Sequence, residues 1–198
     1  MRFENVSVSR DSFRGPEKVL DSVSFLLTGT LPHIIYGPPG CGKTTLLETA
    51  AGLIRPDTGR VVKESRPLFL MQVPERGFTF PLCREEAAGD ITRAGLDGDI
   101  GELSPWVLSR GERKRLALTA NLNYNDSERG RVFLMDDPFT DLDSEGSETV
   151  CGIIESGVFR VIIATNRKTD LDLFRRKNIR FRLFRLERGK LSGEVCEE

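Results

Sequence analysis

Residues Gly37-Pro38-Pro39-Gly40-Cys41-Gly42-Lys43-Thr44 follow the spacing G-x-x-x-x-G-K-[ST]. Glycines at these positions let backbone N–H groups turn inward and form a nest for an anion. A helix beginning after Gly42 adds the partial positive charge of its N-terminus. In such a loop Lys43 reaches the terminal phosphates of a nucleotide and the Thr44 hydroxyl ligates Mg²⁺. The candidate nucleotide contacts therefore run from Gly37 through Thr45. Cys41 reads as a small filler in the loop, with a redox-active thiol as the alternative.

A second group of chemically useful residues ends the apolar run Val132-Phe133-Leu134-Met135, which closes on Asp136 and Asp137. Open parallel sheets bind ligands beyond the carboxyl ends of their strands. Asp136 is the candidate Mg²⁺ ligand, directly or through water. Asp137 is the candidate group that orients or deprotonates an attacking water.

These residues need elements to hold them. Leu31 to Tyr36 is a short apolar run leading into Gly37, and Thr44 to Ala51 is rich in helix formers, with Gly52 where a helix stops. Val61-Val62, Leu68 to Met71, Val132 to Met135 and Val158 to Ala164 are strand candidates, and Glu145 to Ser156 is a helix candidate. Strands alternating with helices predict an α/β fold with a mostly parallel sheet. The first 35 residues, with Phe3, Val6, Val8 and Val19 to Leu27 broken by Gly15-Pro16 and Gly29, predict short, partly antiparallel strands. From Pro74 to Asn125 no strong β-run occurs, which predicts a small helical lobe. Ile179 to Leu186 and Lys190 to Val195 predict a closing hairpin around Gly189.

A chain of 198 residues is one domain by length. Twenty-nine basic against 30 acidic side chains give a net charge of −1, no support for a nucleic-acid or anionic-membrane binder. Cys41, Cys83, Cys151 and Cys196 form no C-x-x-C pair, which argues against a zinc ribbon or a disulfide scaffold and fits a reducing compartment. The longest stretch without Asp, Glu, Lys or Arg, Ser22 to Gly42, is broken by glycines and prolines and cannot be a spanning helix. The N-terminal residues lack the apolar core of a signal peptide, so a cytoplasmic protein is expected.

Leu108-Ser109-Arg110-Gly111-Glu112, followed by Arg113-Lys114-Arg115, precedes the Asp136 strand. This resembles the signature of ATP-binding-cassette (ABC) ATPases, usually written LSGGQ. Asp136-Asp137-Pro138-Phe139-Thr140-Asp141-Leu142-Asp143 resembles that family's Walker B motif and D-loop. Gly52 to Gly59 is similar to its turn after the phosphate-loop helix, Gln72 to its Q-loop glutamine, and Gly189-Lys190-Leu191 to its C-terminal hairpin. The resemblance implies a P-loop, RecA-like core over residues 1–73 and 129–198, carrying an N-terminal antiparallel β part, with a helical signature subdomain inserted at 74–128. It implies ATP and Mg²⁺ as cofactors and Gln72 as a further contact to metal and water. It also implies a head-to-tail pair with a second ATPase subunit, identical or different, in which Ser109 and Gly111 complete the opposite site. Ser109 suits a helix N-cap. At least two of Arg113, Lys114 and Arg115 are expected on a solvated helix face.

Three positions depart from the family. Asp137 stands where a glutamate is usual and is one methylene shorter; a displacement of ~1 Å at the attacking water costs ~100-fold in rate. Asn166 replaces the usual histidine after the last core strand; it can donate to the γ-phosphate but cannot become a cation. His33, the lone histidine, lies upstream of the loop and cannot substitute. Arg110 replaces a signature glycine. The adenine-stacking group is either Phe13 or Arg10, and Phe13 is equally readable as a hairpin contact. These departures imply either a slow or asymmetric ATPase or a backbone adapted to aspartate.

The resemblance further implies separate transmembrane transporter subunits and a peripheral place on the cytoplasmic face of the membrane. Gln72 to Glu75, Phe78, Phe80 and Glu85 to Ala87 are similar to the energy-coupling-factor and cobalt-type importer ATPases. Phe78 to Leu82 reads either as a docking segment or as packing within the lobe. A soluble cassette ATPase serving cofactor assembly or another cytosolic process, and a non-hydrolysing ATP-gated dimerisation module, are the alternatives.

Overall fold

The computed structural model describes residues 1–13, 15–124 and 130–197, with side chains to residue 193. The side chain of Cys196 lies outside the described ones; Cys41, Cys83 and Cys151 are buried and free, in line with the argument against a disulfide scaffold. Two sheets make the frame. A three-stranded antiparallel sheet has the order β2-β1-β4, from β1 (Arg2–Ser12), β2 (Gly15–Leu26) and β4 (Thr58–Val62). A six-stranded sheet has the order β5-β6-β7-β3-β8-β9, from β3 (His33–Tyr36), β5 (Leu68–Leu70), β6 (Val132–Asp136), β7 (Arg160–Thr165), β8 (Phe181–Glu187) and β9 (Lys190–Glu197). Its first five strands run parallel and only β9 pairs antiparallel, as the alternation of strands and helices predicts.

The parallel strands bury both faces, and their alternation splits the core in two. Phe133 and Met135 of β6, with Val161 and Ile163 of β7, face α3 (Arg110–Asn123), α4 (Ser144–Glu155) and α5 (Lys168–Arg176). Val132, Leu134, Ile162 and Ala164 face α1 (Lys43–Ala51) and the antiparallel sheet, where Phe3 stacks on Phe25 at 4.6 Å. α1 is thus clamped between sheets, with Leu46, Leu47 and Ala50 fully buried.

The expected short strands near the N-terminus are instead two long ones. Register shifts at Phe3/Val6, Val6/Val8 and Val8/Ser9 break the period-two pattern, so the sequence looks fragmented where the hydrogen-bonded ladder runs on. The expected helical lobe is present but is built mostly of short pieces. Between β5 and β6 the only long helix among the described residues is α3. The rest is the five-residue α2 (Cys83–Ala87) and 3₁₀ segments at Pro74–Gly77, Ile91–Ala94, Gly98–Glu102 and Pro105–Val107. Asp90, Asp97 and Ser104 each cap one of these segments, so local side-chain bonds compete with longer helices. Cys83, Ala87, Leu96, Leu108 and Leu116 give this region its own small core. Among the described residues no helix is long and apolar enough to cross a membrane.

Candidate functional site

β3 ends at Tyr36 and the chain swings through Gly37–Gly42 into α1. Gly42 is the N-cap of α1 at φ 106°, a left-handed conformation that favours glycine, and a Cβ there would lie 2.8 Å from the Val19 carbonyl oxygen. β2 therefore seats the loop against its own backbone. The Lys43 Nζ folds back across the loop, donating to the carbonyls of Gly37 at 2.8 Å and Pro38 at 2.9 Å and lying 3.9 Å from the Cys41 Sγ. Lys43 is buried, so its ammonium faces the inside of the loop.

One residue further on, the Thr44 hydroxyl donates to Asp136 Oδ2 at 2.7 Å, joining the loop to the end of β6. Asp136 is 1% exposed. Burial pushes its carboxyl up to about 6, the neighbouring Asp137 adds to the rise, and the Thr44 hydrogen bond opposes it. Asp136 Oδ1 and Asp137 Oδ1 are buried and have no hydrogen-bond partner among the described residues. Orphaned buried carboxylate oxygens are costly unless a cation compensates them. With the Thr44 hydroxyl and the Gln72 amide, the donors are all-oxygen and partly anionic, which fits a hard divalent cation such as Mg²⁺.

Asp137 sits at φ 47°, in the left-handed region that Asp enters more readily than most residues. Its N–H donates to the Ala164 carbonyl at 2.9 Å and its carboxylate Oδ2 accepts from Gln72 Nε2 at 3.1 Å. Asn166, directly after β7, is exposed on the same side. Gly40, Gly42, Lys43, Thr44, Thr45, Gln72, Asp137 and Asn166, with Val19 and Pro39, line one cavity of about 240 Å³. Asp136 lies beneath it, reached through Thr44, while Gly37, Pro38 and Cys41 hold the Lys43 ammonium.

Other expected residues lie away from this cavity. Phe13 is fully exposed beside the β1–β2 turn, which corrects its reading as a hairpin contact. Arg10 is ion-paired with Glu48 of α1. Ser109 N-caps α3 in a reciprocal box: its Oγ accepts from Glu112 N at 3.3 Å and its N–H donates to Glu112 Oε2 at 2.8 Å. The Ser109 contact holds the Glu112 carboxyl below the usual carboxylate range. Gly111 lets α3 approach Asp141, whose carbonyl oxygen would stand 2.7 Å from a Cβ. His33 is buried at the other end of β3 and stacks on Phe184 at 5.5 Å.

The expectation of a solvated Arg113–Arg115 face fails. Lys114 is 1% exposed and donates to the carbonyls of Asp137 at 2.8 Å and Thr140 at 3.0 Å. Arg113 bonds the Trp106 carbonyl at 2.6 Å, and Arg115 bonds the Gly95 carbonyl at 3.0 Å and Asp143 at 2.9 Å. The signal for Lys114 was its spacing: it falls four residues before Leu118 and eight before Leu122, on the buried stripe of α3.

Residues 20–140 match the model of the ABC transporter family. An Fe(3+) ion import ATP-binding protein of Yersinia enterocolitica is 30% identical over 173 residues, covering 72% of this chain and 47% of its own length. An energy-coupling factor transporter ATP-binding protein of Thermotoga maritima is 27% identical over 186 residues, covering 78% of this chain and 68% of its own. The chain spans about half the length of the iron and sulfate/thiosulfate import proteins it matches. Among solved structures, the dimeric bacterial ABC transporter cassette MJ0796 superposes with a TM-score of 0.80 at 19% identity, over 98% of this chain and 97% of its own. At that identity the likeness is one of fold.

Proposed function

The chain belongs to the ABC transporter family, and from that premise we propose that it is an ATP-binding and ATP-hydrolysing subunit that closes head to tail with a second ATPase subunit to drive separate membrane subunits. The observation that carries this reading is the convergence of Lys43, Thr44, Gln72, Asp137 and Asn166 on one cavity, above a buried Asp136.

In this reading the loop amides and Lys43 bind the phosphates. Thr44 and Asp136, with Gln72, would hold Mg²⁺, which supplies neutralisation of phosphate charge when bound. Asp137, steadied by the Gln72 amide, orients a water and accepts its proton as ATP is split to ADP and phosphate. The Asn166 amide donates to the γ-phosphate without carrying charge. Phe13 stacks on adenine, a role its full exposure supports, while Arg10 is engaged with Glu48. Ser109 and Gly111, away from the chain's own cavity, complete the partner's site.

Membrane subunits would seat on a second cavity of about 440 Å³ between the end of α1, β5 and the segment after Gln72. Leu53, Phe80 and Tyr124 line it and are exposed, whereas Phe78 packs edge-on to Trp106 at 6.3 Å. Of the aromatic pair after Gln72, one is thus internal packing and the other is free to dock. Such a subunit sits peripherally on the cytoplasmic face, and the import roles of the matched relatives favour uptake as the process driven.

The test is steady-state Mg-ATP hydrolysis across a range of protein concentrations, with Lys43→Ala as the blank. A specific rate that climbs with concentration is expected. ATP binding with no turnover above the blank overturns the hydrolytic reading in favour of an ATP-gated dimerisation module. Copurification with membrane subunits separates transport from a soluble cytosolic service.

A further inference from the structure

The lysine buried in α3 takes no part in binding nucleotide, yet it touches the backbone of the residue proposed to direct water. We propose that Lys114 is a positioning residue for Asp137: its ammonium grips the carbonyls of Asp137 and Thr140 and so fixes the turn that aims the Asp137 carboxylate into the nucleotide cavity. The inference rests on the reading of Asp137 as the water-directing group.

The turn needs such a grip. Asp137 at φ 47° and Asp141 at φ 64° are both left-handed without being glycine. Such a residue is strained and persists only where its surroundings over-determine it. Within the turn the Thr140 N–H donates to the Asp137 carbonyl at 3.2 Å. Lys114 adds donors to that same carbonyl and to that of Thr140, three residues on, closing the turn from outside.

The cost on the lysine side is also visible. A buried ammonium is unfavourable unless it is paired and hydrogen-bonded. Burial pulls the Lys114 ammonium below the usual lysine range, and the nearby carboxylates of Asp141, Asp137 and Asp136 oppose that fall. Leu116, Leu118 and Leu122 fill the neighbouring buried positions of α3, so an apolar residue would satisfy packing at Lys114. What an apolar residue lacks is the pair of donors aimed at the Asp137–Thr140 turn. Arg113, by contrast, bonds the Trp106 carbonyl and Glu75 within the 74–124 region, and Arg115 bonds the Gly95 carbonyl and the Asp143 carboxylate; neither donates to the Asp137 or Thr140 carbonyl.

The test compares the wild type, Lys114→Met and Lys114→Gln by hydrogen exchange and by ATPase kinetics. In Lys114→Met, amide exchange over residues 137–143 is expected to rise about tenfold while α3 and β6 keep their rates. The kcat is expected to fall about tenfold or more with KM for ATP within about threefold, the pattern of a lost transition-state arrangement. Lys114→Gln, whose amide carries two donors, is expected to recover part of both effects. Unchanged exchange over 137–143, an equal rise across α3 and β6, or a Gln variant no better than Met overturns the assignment. Should Lys114→Met fail to fold, the Gln variant alone decides, with intermediate exchange and kcat expected and wild-type values for both overturning it. If the wild type hydrolyses no ATP, the hydrolytic reading falls, and the exchange comparison still decides whether Lys114 holds the turn.

Discussion

The Gln72 amide Nε2 lies 3.1 Å from Asp137 Oδ2, so a side chain arriving from the end of β5 holds the carboxylate that follows β6. The shorter aspartate is thus tethered rather than left to reach alone. Its left-handed backbone suits Asp better than Glu. Asp137→Asn is expected to lower kcat by about 100-fold or more and to accumulate an ATP-bound dimer on gel filtration. Asp137→Glu is expected to leave kcat unchanged or lower it. A gain of about 100-fold in Asp137→Glu, the size of a 1 Å reach error, would mean that side-chain length limits the rate. Normal turnover in Asp137→Asn would remove Asp137 from the water-directing role.

Thr44 and Asp136 share a 2.7 Å hydrogen bond, and Asp136 Oδ1 is buried with no hydrogen-bond partner among the described residues. Asp136→Asn removes the anion that would hold Mg²⁺ while keeping an acceptor for Thr44. Calorimetric titration of ATP with and without Mg²⁺ is expected to show a Mg-dependent gain in the wild type of about tenfold or more, absent from Asp136→Asn. An equal gain in both proteins would exclude Asp136 as a metal ligand.

The loop and the two carboxylates were legible because their chemistry is written in adjacent residues. Gly37 to Thr44 carries its spacing within one turn, and Asp136 ends a short apolar run that reads as a buried strand and is one. Ser109 and Glu112 likewise form a cap from neighbours in sequence. Lys114 is misread when three consecutive cations are taken alike; only its spacing to Leu118 and Leu122 sets it on the stripe that α3 buries against α2, the 3₁₀ segments and β5. The long β1 and β2 were hidden by bulges, which shift the alternation on which a strand reading depends. The convergence of Gln72, Asp137 and Asn166 is legible only through the order of strands: β5, β6 and β7 are neighbours in the sheet, so the residues following them meet at one edge.

Ser109 contributes to its own chain only through the cap, whose loss costs about 1 kcal/mol. Its exposed side chain is expected to serve the partner's nucleotide. Ser109→Arg should therefore leave the affinity of the monomer for a fluorescent ATP analogue within about twofold, while turnover at dimer-forming concentrations falls about 100-fold. Loss of nucleotide binding by the monomer would contradict the trans role.

Asp170 couples the Asn166 segment to the fold. It is 2% exposed, and its Oδ2 accepts from the Thr165 hydroxyl at 2.6 Å, which in turn accepts from the Arg167 N–H at 3.0 Å. Burial raises the Asp170 carboxyl above its ordinary value, with the Thr165 bond and Arg167 opposing the rise. Between the unfolded and folded pKa values the folded state binds more protons, so this group makes stability fall as pH rises through that window. Asn keeps an acceptor for Thr165 and carries no charge, and the Arg167 pair it forgoes is long, at 3.5 Å, and exposed on the arginine side. Asp170→Asn is therefore expected to unfold at higher urea than the wild type at pH 7.5, with the difference shrinking as pH falls into the ordinary carboxylate range. A variant less stable than the wild type at pH 7.5, with the deficit closing at low pH, would mean that the ionised carboxylate is favoured in the folded state and that its partners outweigh burial.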